Sequence, residues 1–81
     1  MKYGDELPAL VFFRLPKGTE VLVDGLRITK SDNRYAKSIL HAGEYEMTLR
    51  RPDGRELTFN FLRYGFQRCL IDWDEVENYL Q

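Results

Sequence analysis

The sequence of 81 residues has few of the residues that build disulfides or metal sites, with one cysteine, Cys69, and one histidine, His41. A lone cysteine excludes an internal disulfide and a cysteine-based zinc cage, so we interpret Cys69 as a small apolar residue of the core. A histidine metal site requires two or more histidines, and we expect His41 to be a turn residue. The sequence therefore predicts no metal and no cofactor.

Long apolar runs are also missing. The longest, "ALVFFRL" at residues 9–15, is far shorter than the roughly 18 apolar residues of a membrane span. Asp5 and Glu6 precede it, which is not typical of a signal peptide. From the length and these absences we expect one domain over residues 1–81, a cytoplasmic location and no membrane contact.

Catalytic motifs are lacking as well. The six glycines occur singly, so there is no phosphate-binding glycine-rich loop, and no Gly-x-Ser-x-Gly elbow is present. Glu44 and Glu46 would lie about 7 Å apart on one strand, within the range of paired glycosidase carboxylates. However, they belong to the solvent face of a predicted hairpin. We expect that the chain is not an enzyme.

The strongest pattern present is "EYEMTLRRPDGRELTFNFL", residues 44–62, in which apolar and polar residues alternate on both sides of a turn. Pro52 supplies a fixed φ and Gly54 a left-handed position. The pattern predicts a β-hairpin with one face in the core and one in water. The inward residues are Tyr45, Met47, Leu49, Leu57, Phe59 and Phe61.

Shorter strands are predicted on either side of this hairpin. Asp24 and Gly25 form a tight-turn pair between "EVLV" and "LRIT", and "YAKSIL" is a further short strand. The run at residues 9–15 is nearly continuous rather than alternating, so we expect both of its faces to be covered. Pro8, Pro16 and Arg14 act as gatekeepers around it.

The tail "LIDWDEVENYLQ" changes to helical spacing, at which Trp73, Val76, Tyr79 and Leu80 recur. Asp72 and Glu75 have the spacing of a capping box, so the sequence predicts a helix over about residues 72–80, with Trp73 as its anchor. The expected fold is mainly β: a small antiparallel β-sandwich or meander with one C-terminal α-helix packed on it.

The segment from Leu15 to Leu62 resembles the PEGA family of small β-sandwich repeats. "LPKGTEVLVDG" looks like the opening of that family, and "LHAGEYEMTLRRPDGRELTFNFL" is similar to its second half. Two features depart from it: "RITKSDNRYAKS" replaces the usual Gly-x-Thr-Pro segment, and the C-terminal helix is extra. The resemblance implies an interaction or surface-display module without catalytic residues. The matching residues are Pro16, Gly18, Val21, Val23, Asp24, Gly25, Gly43, Tyr45 and Leu49.

Positive charge is concentrated in the middle of the chain. Residues 27–68 contain nine Lys and Arg against five Asp and Glu, whereas residues 69–81 contain four acids and no base. The two segments could simply attract each other. Alternatively, arginines interleaved with aromatics form a binding patch. The candidate binding residues are Arg50, Arg51, Arg55, Arg63, Tyr64, Phe66 and Arg68.

Two functions remain open at this point. The first is a non-catalytic protein-interaction module, an accessory subunit or a small inhibitor. It would bind a larger protein through an edge strand or the aromatic and arginine patch, and a homodimer through the strand at residues 9–15 is possible. The second is a small nucleic-acid-binding β-protein that uses the arginines of the hairpin tip, although the net charge of −1 is not that of a basic domain.

Overall fold

The structure, a computed structural model, describes residues 9–63 and 69–81. These residues form seven strands and one helix in two sheets. We call the sheet with strand order β4-β1-β7 the small sheet and the sheet with order β3-β2-β5-β6 the large sheet. The elements are β1 (Ala9–Arg14), β2 (Glu20–Val23), β3 (Leu26–Lys30), β4 (Tyr35–Leu40), β5 (Gly43–Arg50), β6 (Glu56–Arg63), β7 (Cys69–Asp72) and α1 (Trp73–Leu80).

The predicted hairpin is confirmed as β5 and β6, which pair in the expected register. Tyr45 lies opposite Phe61, and Met47 lies opposite Phe59. Met47 is fully buried, while Glu44 and the other polar residues of the opposite phase are mostly exposed. The alternation of the sequence therefore places one face of the large sheet in the core and the other in water.

The Asp24–Gly25 turn joins β2 to β3 as predicted. Both residues have positive φ, 51° and 86°, which is the backbone of a two-residue type I′ hairpin turn. β2 then pairs with β5, with Val23 opposite Met47. In the large sheet, the turn chemistry thus places a second hairpin beside the first.

β1 is the central strand of the small sheet. It pairs with β4 in antiparallel fashion and with β7 in parallel fashion. Val11 and Phe13 are fully buried, but Leu10 on the other face is 39% exposed. The prediction that both faces of this segment are covered is therefore wrong at Leu10, while Phe12 on the same face is half-buried. Both hydrogen-bonding edges of β1 are occupied, so a homodimer through residues 9–15 would have to use that outer face.

The core lies between the inner faces of the two sheets. The small sheet contributes Val11, Phe13 and Ile71, and the large sheet contributes Val21 and Met47, among others. α1 adds Trp73, which is 4% exposed, and contacts β7 and β6. The predicted fold class is confirmed: the protein is mainly β, with two sheets and one C-terminal helix packed on them.

α1 begins after Asp72, whose side chain accepts a hydrogen bond from the amide of Glu75 at 3.2 Å. This is the predicted N-cap. At eight residues α1 is short, and the described residues include no helix that is long and apolar enough to cross a bilayer.

Candidate functional site

The arginines of the β5–β6 hairpin tip contact carboxylates. Arg50 Nε donates to Glu56 Oε2 at 2.7 Å across the hairpin, and its Nη1 lies 3.8 Å from Glu20 Oε1. Arg55 Nη2 donates to Glu77 Oε2 of α1 at 2.7 Å. The basic hairpin and the acidic tail therefore attract each other, which is the simpler of the two interpretations of the charge pattern.

Arg51 is held in a different way. Its Nη2 lies 3.3 Å from Asp53 Oδ2, and its guanidinium carbon lies 5.3 Å from the centroid of the Trp73 ring. That distance is typical of a cation–π contact. Arg51 thus covers the ring that anchors α1, and it has a structural role beside any role in binding.

Among the remaining candidates, Arg63 does not join the tip. Arg63 is at the far end of β6, opposite Gly43 and about 24 Å along the strand from Glu56, and its side chain is fully buried. Tyr64, Phe66 and Arg68 lie outside the described residues. The structure brings Arg50, Arg51 and Arg55 to one end of the hairpin and places Arg63 in the interior.

The outer face of the small sheet is an exposed apolar surface that the sequence patterns did not indicate. We define it by Leu10 and Phe12 of β1, the alternate residues of β4, and Leu70 of β7. The register places Leu10 opposite Ile39, and Phe12 between Lys37 and Leu70. The full set is Leu10, Phe12, Tyr35, Lys37, Ile39 and Leu70.

The apolar members of this face are open to solvent. Ile39 is 60% exposed and Leu70 is 59% exposed, with Tyr35 at 65%. Phe12, between them, is half-buried. The outer face of the small sheet is therefore a contiguous apolar surface that is partly open to solvent.

The charged groups on this face are few. Lys37 lies between Tyr35 and Ile39 along β4, and no ion pair joins it to any residue that the structure describes. Arg14 and Asp72 close one end of the face, where Arg14 Nε donates to Asp72 Oδ1 at 2.6 Å. Among the described residues of this face, Lys37 is therefore an exposed charge without an ion-pair partner.

The Arg14–Asp72 pair fixes the ends of β1 and β7 and the start of α1. Burial alone would raise the pKa of Asp72, but the hydrogen bonds from Arg14 and from the amide of Glu75 outweigh it and lower that pKa. The hydrogen bond to Asp72 raises the pKa of Arg14 in turn. Both groups are charged at neutral pH, and each has the other as its hydrogen-bond and ion-pair partner.

Within the part of the chain that the structure describes, β4 pairs only with β1, which leaves its other edge open. Such an edge has backbone groups that can accept a further strand. Lys37 in the middle of β4 is a typical residue for discouraging unspecific pairing.

The two residues first considered for metal or thiol chemistry have ordinary positions. His41 is exposed in the connection between β4 and β5, where its carbonyl accepts a hydrogen bond from the Tyr45 hydroxyl at 2.8 Å. Cys69 begins β7 and is half-buried. Within residues 9–63 and 69–81, no group of three or more His, Cys, Asp or Glu is placed to hold a metal ion.

Comparison with known proteins gives no family assignment. No family model, no curated protein and no solved structure matches this chain. The PEGA resemblance therefore depends on the residues given above, of which Gly18 and Gly25 lie in turns with positive φ and Val21 and Val23 are buried in β2.

The signal for the apolar face is visible in hindsight. "ALVFF" and "CLI" are apolar at consecutive positions, so each strand presents apolar residues to both sides of its sheet. The predicted helix is too short to cover the outer side as well as its own docking place. The sequence predicts strands that are apolar on both sides but only one short helix, and comparing the two would have indicated that one side of the small sheet stays uncovered by that helix.

Proposed function

We propose that this protein is a non-catalytic protein-interaction module, an accessory subunit or small inhibitor that binds a larger protein through its small sheet. The observation that supports the proposal is the exposed apolar face of that sheet, with Ile39 and Leu70 each more than half exposed. The open edge of β4 adjoins this face and enlarges the available surface. A PEGA-like affiliation is compatible with such a role and is itself part of the proposal.

The energetics favour contact at this surface. Fully burying one Leu or Ile side chain contributes about 1.5–3 kcal/mol. Because the side chains of this face are already partly buried in the free protein, each would contribute only about 1 kcal/mol on binding. Leu10, Ile39 and Leu70 together would then contribute about 3 kcal/mol to binding, before the polar contacts at the rim. Burial of these side chains would supply a substantial part of a specific interaction.

The hairpin tip is a weaker candidate for the contact surface. Arg50, Arg51 and Arg55 each already contact a carboxylate, so a nucleic acid would have to replace those partners before it gained phosphate contacts. For this reason we place the contact surface on the small sheet and treat nucleic-acid binding as an alternative for experiment.

The experiment is affinity purification from native lysate with three tagged versions of the full chain: the natural sequence, Ile39→Ser/Leu70→Ser, and Leu26→Ser. Leu26 is the matched control because it is 72% exposed and lies on β3, in the other sheet. Circular dichroism verifies that all three are folded. We expect a set of proteins retained by the natural chain and by Leu26→Ser and lost with the double variant. Equal retention by all three would contradict the proposal.

A further inference from the structure

We infer that the outer face of the small sheet binds an amphipathic α-helix of the partner, with an acidic side chain of that helix against Lys37. This inference rests on the proposed function and names its partner class. Three features of the small sheet support it: the parallel pairing of β1 with β7, the dimensions of the apolar face, and the position of Lys37, which has no ion-pair partner among the described residues.

The parallel pairing of β1 with β7 favours a sheet that is covered on both faces. β1 and β7 run parallel, with Phe12 opposite Leu70, and sheets made wholly of parallel strands are covered by helices on both faces, although here β4 is antiparallel to β1. The inner face is covered by the large sheet. α1 cannot cover the outer face, because Trp73 is in the core and the helix contacts β7 and β6.

The size of the face matches one helix. Three strands about 4.8 Å apart and six residues of about 3.4 Å each give an area roughly 10 Å wide and 20 Å long. A single α-helix is about 10 Å in diameter and rises about 5.4 Å per turn, so three to four turns would span the face. A stable interface between two globular copies usually buries about 800 Å² on each side, which is much more than this face provides.

The charge on the face determines which helix binds best. Lys37 lies among apolar residues on β4, opposite Phe12, and has no ion-pair partner among the described residues. Arg14, the other base nearby, is bound to Asp72. A carboxylate placed beside the apolar stripe of the incoming helix would pair with Lys37, whereas a basic side chain there would be repelled.

The test uses two fluorescent 16-residue helical peptides and the full chain. Both peptides carry leucines at i, i+3, i+4, i+7 and i+11 on an alanine background. They differ only in the residues that flank this stripe, which are Glu in one peptide and Lys in the other. Fluorescence anisotropy gives the affinities, and the helicity of the bound peptide is followed by circular dichroism. We expect the Glu peptide to bind more tightly than the Lys peptide by about threefold or more.

Variants of the chain locate the binding. Ile39→Ser should weaken the Glu peptide by about fivefold, as expected for loss of one aliphatic side chain that is already partly buried, while Leu26→Ser should change the affinity by less than about twofold. Lys37→Glu should reverse the preference between the two peptides. Because all three positions are exposed on the surface, these variants should keep the fold, and circular dichroism verifies this.

Several results would overturn the inference. Equal binding of the two peptides, or equal losses for Ile39→Ser and Leu26→Ser, would remove its basis. New hydrogen-exchange protection of the β4 amides would indicate strand addition at the edge instead of a helix on the face. A dimer in sedimentation that Ile39→Ser dissociates would assign the face to a second copy. The proposed function is tested separately by the lysate experiment, and it survives if partners depend on Ile39 and Leu70 but neither peptide binds.

Discussion

Asp72 joins three elements of the fold through one carboxylate, and its removal is the most informative perturbation of stability. Oδ1 accepts from Arg14 at the end of β1, and Oδ2 accepts from the amide of Glu75 in the first turn of α1. The side chain of Asp72 is 6% exposed. A substitution here therefore alters the connection between strand and helix without any change in the apolar core.

The expected magnitude is the sum of two losses. Removal of an aspartate N-cap by alanine costs about 1 kcal/mol. Loss of the charge-assisted hydrogen bond that the buried carboxylate accepts costs about 1 kcal/mol more, a value reduced for the solvent exposure of its partner. Asp72→Ala should therefore destabilise the protein by about 2 kcal/mol. Asp72→Asn should lose about half of that, because asparagine is an equally good N-cap.

The effect of Asp72→Asn should depend on pH. The pKa of Asp72 in the folded protein lies below the ordinary value of 3.8, so the unfolded chain takes up its proton first as the pH falls. The stability that the carboxylate contributes is thus present above about pH 5 and is lost as the pH falls through the folded pKa. The difference in free energy of unfolding between the natural chain and Asp72→Asn should therefore become smaller as the pH falls from about 5 through the folded pKa of Asp72.

The assay is urea unfolding followed by Trp73 fluorescence at pH 7, 5, 4 and 3. Asp74→Asn is the control, since Asp74 is exposed in the same helical turn and should change stability by less than about 0.5 kcal/mol. If Asp72→Asn and Asp74→Asn had equal effects at pH 7, or if the effect of Asp72→Asn were the same at every pH, the role given to this carboxylate would be refuted.

Three further predictions concern the turns, the core and the arginines. Gly18→Ala should destabilise more than Gly54→Ala: both glycines have positive φ, but a Cβ at Gly18 would lie 2.9 Å from Pro52 Cγ and a Cβ at Gly54 meets no atom within 4 Å. In the Gly18→Ala background, Pro52→Ala should restore part of the lost stability, because it removes the Cγ atom that the new Cβ would meet. If the changes in Tm caused by the two substitutions were simply additive, this explanation would be contradicted. Met47→Ala should cost about 3 kcal/mol in urea unfolding, because Met47 is fully buried between the sheets, and a loss under 1 kcal/mol would be inconsistent with that packing. Labelled oligonucleotides at two salt concentrations should show no steep salt dependence of binding, and a steep slope that Arg50→Ala reduces would favour the nucleic-acid alternative.

Local chemistry was sufficient to predict most of the large sheet. The Asp24–Gly25 turn and the Pro52–Gly54 turn require backbone conformations that few other residue pairs supply, so their sequence identifies them directly. The strict alternation at residues 44–62 then fixes which side faces the core. The same holds for α1, because its N-cap residue Asp72 and the spacing of its apolar side chains are both local features that lie within about two turns of helix.

The small sheet and the charge pairs depend on contacts between distant positions, and these were not predictable from local pattern. β1 pairs with β7, about sixty residues away, and no turn sequence indicates that pairing. From the sequence, Arg63 was expected to belong to an exposed positive patch, but its side chain is fully buried at the far end of β6. Likewise, Arg55 and Glu77 are 22 residues apart, and only the packing of α1 beside the hairpin brings them together.

Site-specific photo-crosslinking tests most directly whether the small sheet is the surface that binds a partner. Tyr35 and Tyr79 are both exposed, at 65% and 81%, but Tyr35 lies on the outer face of the small sheet and Tyr79 lies on α1. Each is replaced in turn by the photoreactive residue benzoylphenylalanine, and the chain is irradiated in native lysate. We predict discrete protein adducts from position 35 and none from position 79. Adducts from position 79 alone would contradict the assignment of the small sheet as the binding surface.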